Sequence, residues 1–390
     1  MTIIITGDLH LREAEEDRLK VLEWLCIQAR KEGADLVLIA GDLFENSSDF
    51  MELKNIVRRI FDRELEKIPS VIIPGNHDQF LEGSHYLGSG VSVLSSPGDS
   101  KTFKDGNSQV NVIGVPYMKG EIMTSFIDEL KFKEQATNVL LTHGSLIDPS
   151  HRYIQEKINE EGEENSFFIF TEDFDTSPVD AVLLGHWHGD DNFKYGDTHF
   201  CYPGAPLPTS RRELGKKHYY IMKTESGRIT DLKRKLIDAP DSWFFEKKSI
   251  FLSPNFESQT INDLRAFFEG AEKGNSDCHL LLEVNGYVTL SEMKIRGEIN
   301  EILNEGADKY RDISPEFNFK PAESLKNPLV ERFIEKVNNL QLQDTEITEL
   351  LSDDESTLQR RFSRLMEENE REIKRRILEG ALESFSDRLD

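Results

Sequence analysis

Three apolar, β-branched runs, Thr2–Thr6, Asp35–Ala40 and Ser70–Ile73, alternate with two segments of helical period, Asp17–Gly33 and Asp49–Lys67. Few architectures accommodate that alternation. A strand–helix–strand–helix–strand order implies parallel pairing with helical crossovers. Runs that lack polar alternation are strands buried on both faces. Leu19, Leu22, Leu25, Cys26 and Ala29 mark the inner face of the first helix, and Gly33 supplies its stop. Leu53, Ile56, Val57, Ile60 and Phe61 do the same for the second helix.

Beyond Ile73 the pattern changes to short apolar runs separated by brief loops: Val110–Val115, Asn138–Thr142, Ala181–Leu184, His199–Tyr202 and His218–Met222. Only Glu121–Lys133 among them has helical period, and Ile158–Glu164 is a glutamate-rich insertion with no assigned chemistry. A second sheet packed on the first is expected, giving an α/β fold built as a four-layer α/β/β/α sandwich over residues 1–238. Residues 239–322 then read as a small α/β capping domain, with strands at Ser249–Leu252 and His279–Val284 and helices at Thr260–Glu269 and Leu290–Leu303. Residues 323–390 read as a helical C-terminal region, in which Glu355–Leu389 carries Leu358, Phe362, Leu365, Ile373, Ile377, Leu382 and Phe385 along a charged helix.

Each of five apolar runs is followed at once by a polar cluster. The clusters are Asp8-Leu9-His10, Gly41-Asp42, Gly75-Asn76-His77-Asp78, Thr142-His143-Gly144 and Gly185-His186-Trp187-His188. Ligand sites in open α/β sheets lie outside the carboxyl ends of strands, so one sheet edge is expected to gather all five. The inventory is three carboxylates, one amide and five of the ten histidines in the chain. Burying so many titratable groups without compensation costs several kcal/mol each, and a metal centre supplies that compensation. Imidazole, carboxylate and amide ligands suit manganese, iron or zinc. The donors exceed what one ion needs, which points to two divalent ions sharing a carboxylate, about 3.5–4 Å apart, as in in-line displacement at phosphorus. His85, His151, His199, His218 and His279 have no partner motif and read as structural.

The series D-x-H, G-D, G-N-H-D, H-G and G-H-x-H resembles the calcineurin-like metallophosphoesterase superfamily, over about residues 2–235. That resemblance implies that Asp8, His10 and His188 hold one metal, that Asp42 bridges, and that Asn76, His143 and His186 hold the other. It also implies that His77 is a catalytic acid or transition-state stabiliser held by Asp78, facing a metal-activated water. Within the superfamily, Gly41-Asp42-Leu43-Phe44 and Tyr202-Pro203-Gly204-Ala205-Pro206 are similar to stretches of the SbcD-type DNA repair nucleases, as is the succession of core, cap and helical tail. Glu45 stands where archaeal and eukaryotic relatives carry a second active-site histidine, and has no assigned role.

The resemblance implies a manganese-dependent DNA phosphodiesterase, the nuclease subunit of an SbcCD-like break-repair complex, with DNA and an SbcC-like SMC-type ATPase as partners. The alternatives are a phosphodiesterase or phosphatase for a small nucleotide, and a degenerate scaffold without activity. Docking on the ATPase is the preferred reading of Glu355–Leu389, ahead of packing on the cap. Helices after Asp42 and near His85 are candidates for a homodimer interface.

A formal charge of −25 disfavours a protein that coats nucleic acid by itself, since such binding needs Lys and Arg to release counterions. The densest basic segment is Arg211, Arg212, Lys216 and Lys217, with Lys233-Arg234-Lys235 nearby, a candidate contact for a DNA backbone. Three scattered cysteines suggest reduced thiols and a cytoplasmic protein. A strand at Thr2–Thr6 leaves no room for a signal peptide, and no apolar run is long enough to span a bilayer.

Overall fold

The computed structural model describes residues 1–147, 166–271, 275–324, 328–338 and 374–382 of the chain. The chain divides into two compact units, Met1–Phe245 and Glu246–Asp390.

The first unit begins β1 (Thr2–Thr6), α1 (Glu16–Lys31), β2 (Leu36–Ile39), α2 (Ser47–Glu64) and β3 (Ser70–Ile72), the alternation expected from the sequence. There follow β4 (Val91–Val93), β5 (Asp99–Asp105), β6 (Ser108–Val115), the single turn α3 (Thr124–Ile127) and β7 (Thr137–His143). The short pair β8 (Ser145–Ile147) and β9 (Phe168–Phe170) leads to β10 (Ala181–Gly185), β11 (Asp191–Tyr195) and β12 (Thr198–Tyr202). The hairpin β13 (His218–Glu225) and β14 (Arg228–Leu236) completes the strands of the two main sheets.

These strands form two six-stranded sheets, ordered β14-β13-β1-β2-β3-β4 and β11-β12-β10-β7-β6-β5. β1, β2, β3 and β4 pair in parallel, whereas β13 runs antiparallel against the other edge of β1. In the second sheet β6, β7, β10 and β12 are parallel. All five motif-bearing strands therefore lie in parallel blocks, three adjacent in one sheet and two in the other. Their carboxyl ends can share an edge because the sheets stack face to face.

The burial pattern shows why the runs are apolar throughout. Ile3, Ile5, Leu38, Val71 and Ile73 pack against Val112, Leu141 and Leu183 of the second sheet. Their alternate neighbours Ile4, Val37, Ile39 and Ile72 pack under Leu22, Leu25, Val57 and Phe61 of α1 and α2. Each such side chain, once fully buried, stabilises by roughly 1.5–3 kcal/mol. Asn46 caps α2 by accepting hydrogen bonds from the backbone N–H groups of Ser48 and Asp49.

On the outer face of the second sheet, Ile113, Leu140, Val182, Leu184 and Phe200 are covered by Met123, Phe167 and Phe174. The helix expected over Glu121–Lys133 is only the turn α3. Its leading end is drawn into a ladder with β9, where Met123 N–H donates to Phe168 O and Phe168 N–H to Glu121 O. The bonds that follow, Phe126 to Met123 and Leu130 to Ile127, are three-residue turns, so no α-helix propagates.

In the second unit, β15 (Phe244–Leu252, entering from the first), α4 (Glu257–Gly270), β16 (Asn275–Val288), α5 (Glu292–Gly306), β17 (Tyr310–Pro321) and α6 (Pro328–Asn338) include a three-stranded sheet, β15-β16-β17. The insertion Ile158–Glu164 and most of Glu355–Leu389 lie outside the described residues. The described part of that tail, 374–382, is helical. Its Leu378 and Leu382 are fully buried with Phe251, Tyr287 and Val337, and Arg375 pairs with Asp263. Of the apolar stripe read from the sequence, Leu382 packs into this unit's own core and Ile377 is 38% exposed, while its other members lie outside the described residues. No helix among the described residues is long and apolar enough to cross a membrane.

Candidate metal centre

The loops leaving β1 and β2 run side by side: Asp8 N–H donates to Gly41 O, His10 N–H to Asp42 O and Leu11 N–H to Leu43 O. This pairing helps to hold three residues in a left-handed backbone, with φ of 50° at Asp8, 46° at His10 and 48° at Asp42; His186 after β10, whose N–H donates to Asp8 Oδ1, is a fourth with φ of 96°. Each costs of order 1–3 kcal/mol and persists only where the surroundings dictate it. The close approach also needs glycine. A Cβ at Gly41, whose φ is +85°, would fall on the His143 imidazole, and one at Gly75 on the Asp42 carboxylate.

Seven of the nine residues singled out from the sequence form two linked clusters at this edge, with His77 beside them and Asp78 bonded to backbone N–H groups at the ends of β2 and β3. In the first, Asp8, His10 and His188 offer ligand atoms within 4.8 Å of one another. His10 Nδ1 bonds Glu45 Oε2 at 2.8 Å, and His188 Nδ1 bonds Glu213 Oε1 at 2.9 Å. Carboxylates only accept, so each Nδ1 carries the hydrogen and each Nε2 presents a lone pair. Those two Nε2 atoms face each other at 3.0 Å. Asp8 Oδ1 accepts from His186 N–H, while Asp8 Oδ2 is buried and accepts no hydrogen bond.

The second cluster repeats this logic. His143 donates from Nδ1 to the Ala40 carbonyl at 2.9 Å, which leaves its Nε2 lone pair 2.9 Å from Asn76 Oδ1. His186 Nδ1 lies 3.0 Å from the same amide oxygen. Asp42 links the halves, since its Oδ2 is 3.7 Å from His10 Nε2 and 3.3 Å from His143 Nε2. Acceptors converging on acceptors require a proton or a cation between them. The nitrogen and oxygen donors, with the orphaned Asp8 Oδ2, fit divalent first-row metals.

His77 is 38% exposed beside the cluster, its ring edge-on to His10 at 4.8 Å. The expected support from Asp78 is corrected by the geometry. Asp78 is fully buried and accepts from the backbone N–H groups of Gly75, Leu43 and Phe44 at 2.7, 2.8 and 3.2 Å. It ties the turn after β3 to the end of β2, where backbone donors would otherwise be orphaned. The residue beside the imidazole is Glu45, with its carbonyl 3.2 Å and its Oε1 3.7 Å from His77 Nδ1.

Glu45 and Glu213 are thus the functional candidates that the motifs did not assign. Glu45 directly follows Gly41-Asp42-Leu43-Phe44, which is a usable signal; Glu213 is hidden inside the basic run Arg211–Lys217. Much of that basic run and its neighbour is already matched: Lys217 with Glu213 at 3.3 Å, Arg234 with Asp190 at 3.2 Å and Lys233 with Asp231 at 2.7 Å.

The buried charges set the protonation pattern. Burial pushes the Asp8 carboxyl up. Burial acts the same way on Asp42, but the imidazoles of His143, His10 and His77 outweigh it and hold that carboxyl well below its usual range. For His143, burial works to lower the pKa, yet the Asp42 and Asp8 carboxylates raise it to about 9. Burial would raise Glu45 and Glu213, but their imidazole partners keep both ionised, Glu45 with a pKa of about 2.

Residues 1–190 match the profile of the calcineurin-like phosphoesterase family. The chain is 27% identical over 264 residues to the SbcD component of the SbcCD nuclease of Staphylococcus saprophyticus, covering 59% of this chain and 68% of that protein. It is 25% identical over 240 residues to the uncharacterized metallophosphoesterase YhaO of Bacillus subtilis, covering 57% of this chain and about half, 55%, of YhaO. Among solved structures, TT1561 of Thermus thermophilus aligns over 60% of this chain and 98% of its own, at 16% identity and a TM-score of 0.37. With the strand-end clusters in place and the family profile matched across them, residues 1–190, within the first unit, form a calcineurin-like phosphoesterase domain.

Proposed function

We propose that the chain is a two-metal DNA phosphodiesterase, the nuclease subunit of an SbcCD-like complex. Asp8, His10 and His188 would hold one divalent cation, Asn76, His143 and His186 the other, with Asp42 shared between them. Manganese is the first choice. The observation that carries this reading is the convergence of acceptor atoms at Asp8, His10, His188, Asn76 and His143, which only a proton or a cation can hold together. When bound, two such ions polarise the phosphoryl group and make a water acidic enough to attack phosphorus at neutral pH.

The protein's own residues do the rest. His77 donates from Nδ1 to the Glu45 carbonyl, and in its imidazolium form has Nε2–H free for the departing oxygen. The Glu45 carboxylate lies 3.7 Å from the same Nδ1. Asp78 ties the turn that carries Asn76 and His77 to the end of β2 through its three backbone bonds. The reading gains support from the SbcD relative and implies a cytoplasmic protein, in keeping with three buried, scattered cysteines.

Because Lys217, Lys233, Arg234 and Lys235 are matched by carboxylates, much of the grip on DNA falls to an SbcC-like ATPase partner. Self-association would use α2 and the His85 loop, where Met51 and Tyr86 are exposed. The same charge matching favours the second reading, a small-nucleotide phosphodiesterase or phosphatase.

The deciding experiment is manganese-dependent degradation of linear duplex and single-stranded DNA by wild type and His77→Ala, with metal content measured. DNA cleavage by wild type, lost in His77→Ala with metal retained, supports the nuclease. Turnover of small phosphodiesters with DNA left intact selects the second reading.

A further inference from the structure

Granted the two-cation reading above, we propose that Glu45 and Glu213 are positioning residues that make the two cation positions unequal. The Asp8–His10–His188 position takes its ion first and holds it more tightly.

Both imidazoles of that position are backed by ionised carboxylates, Glu45 behind His10 and Glu213 behind His188, at 2.8 and 2.9 Å. A carboxylate accepting from Nδ1–H fixes the tautomer and the ring plane and makes Nε2 a stronger donor to a metal. Glu213 is itself immobilised, since its Oε1 also accepts from the backbone and hydroxyl of Thr209 and from the backbone of Ser210. Arg12 lies 3.2 Å from Glu45 and Lys217 lies 3.3 Å from Glu213. Each cation contacts a carboxylate that itself contacts the ring, so the imidazoles meet negative charge before positive.

The second position is built differently. His143 is backed by the neutral Ala40 carbonyl, and Asn76 contributes a neutral amide. Its only carboxylate among the assigned ligands is the shared Asp42. The first position has Asp8 in addition, whose Oδ2 accepts no hydrogen bond. Ligand charge and backing charge therefore act in the same direction.

The test is a titration of the chelator-stripped full chain with manganese, followed calorimetrically and by the resonance signal of free Mn(II). Wild type should show two binding events separated by at least about tenfold. Glu45→Gln and Glu213→Gln keep an acceptor oxygen but remove the charge, and each should weaken the tighter event by roughly 10–100-fold while moving the weaker one by less than about threefold. Asn76→Ala should remove the weaker event and leave the tighter. Two equal sites in wild type, or glutamine variants that weaken both events alike, would overturn the inequality while leaving the two-metal reading intact. The wild-type titration decides even where a variant fails to fold. Absence of manganese binding would sink the two-metal reading itself.

Discussion

The site edge of the first unit and the core of the second are equally buried and chemically opposite. At the edge, Asp8 and His143 are wholly shielded from solvent, Asp42 and His10 nearly so. In the second unit the comparable positions are Leu280, Leu282, Val284, Ile295 and Ile299, later joined by Leu378 and Leu382. Apolar burial is favourable as it stands. The edge gathers left-handed residues, facing lone pairs and neighbouring carboxylates, all unfavourable until a cation arrives. Its geometry is imposed by strands buried on both faces, so the sheets carry the folding free energy and the edge carries the chemistry. In this chain the two are separable.

The sharpest way to break that contrast is Asp42→Ala. Removing the oxygen that faces both clusters should lower phosphoester hydrolysis roughly 10³-fold or more, about 4 kcal/mol of transition-state stabilisation. A steady-state assay reads the loss, and near-wild-type activity would show that Asp42 is not shared.

The converse substitution is Leu382→Ala, which should destabilise the second unit by about 2–5 kcal/mol. Denaturant unfolding monitors it, and manganese binding should be unchanged.

Manganese itself should stabilise only the first unit, by about 2.7 kcal/mol at a hundredfold excess over Kd. Asp8→Asn should diminish that gain while leaving the metal-free first unit at least as stable, because it removes a buried carboxyl that folding holds above its ordinary pKa. Differential scanning calorimetry with and without metal measures both effects.

The gentlest effect is on pH. In the metal-free chain, folding raises the His143 pKa from 6.5 to about 9. Its contribution is complete below pH 6.5 and is lost as pH rises through about 9. Glu45 works in the other direction: its contribution is present above pH 4.5 and is lost as pH falls through about 2. Thermal melts should therefore be highest in mild acid and decline from pH 6.5 to about 9. Added manganese should flatten that decline by taking the place of the proton.

The parts of this arrangement that the sequence made legible share one cause. A strand buried on both faces has no polar residue until it ends, so Asp8, Asp42, Asn76, His143 and His186 are marked by the abrupt change at the end of each run. The strands of the two main sheets that escape notice in the sequence, β4, β5, β11 and β14, are short or half-solvated members at the sheet margins, as in Asp99–Asp105 and Asp191–Tyr195. Their mixed composition imitates loops. Glu213 escaped for a similar reason, because a glutamate among arginines and lysines looks like solvated surface. Asp78 was assigned to its sequence neighbour His77, whereas its carboxylate reaches back to Leu43 and Phe44 across the fold. Proximity along the chain is a poor guide where strand ends from different segments meet.

The pairing of β1 between β2 and β13 bears on how the protein is made. Asp8, His10 and Asp42 leave the ribosome early, yet the strand that carries the first two lacks its second neighbour until His218–Glu225 has been synthesised. At roughly 5–20 residues per second that interval lasts on the order of ten seconds or more. The carboxylate that orients His188 belongs to the same late stretch of chain. A nascent polypeptide thus holds most of the strand-end groups for seconds before it can assemble them, and translation itself sets when the edge can close.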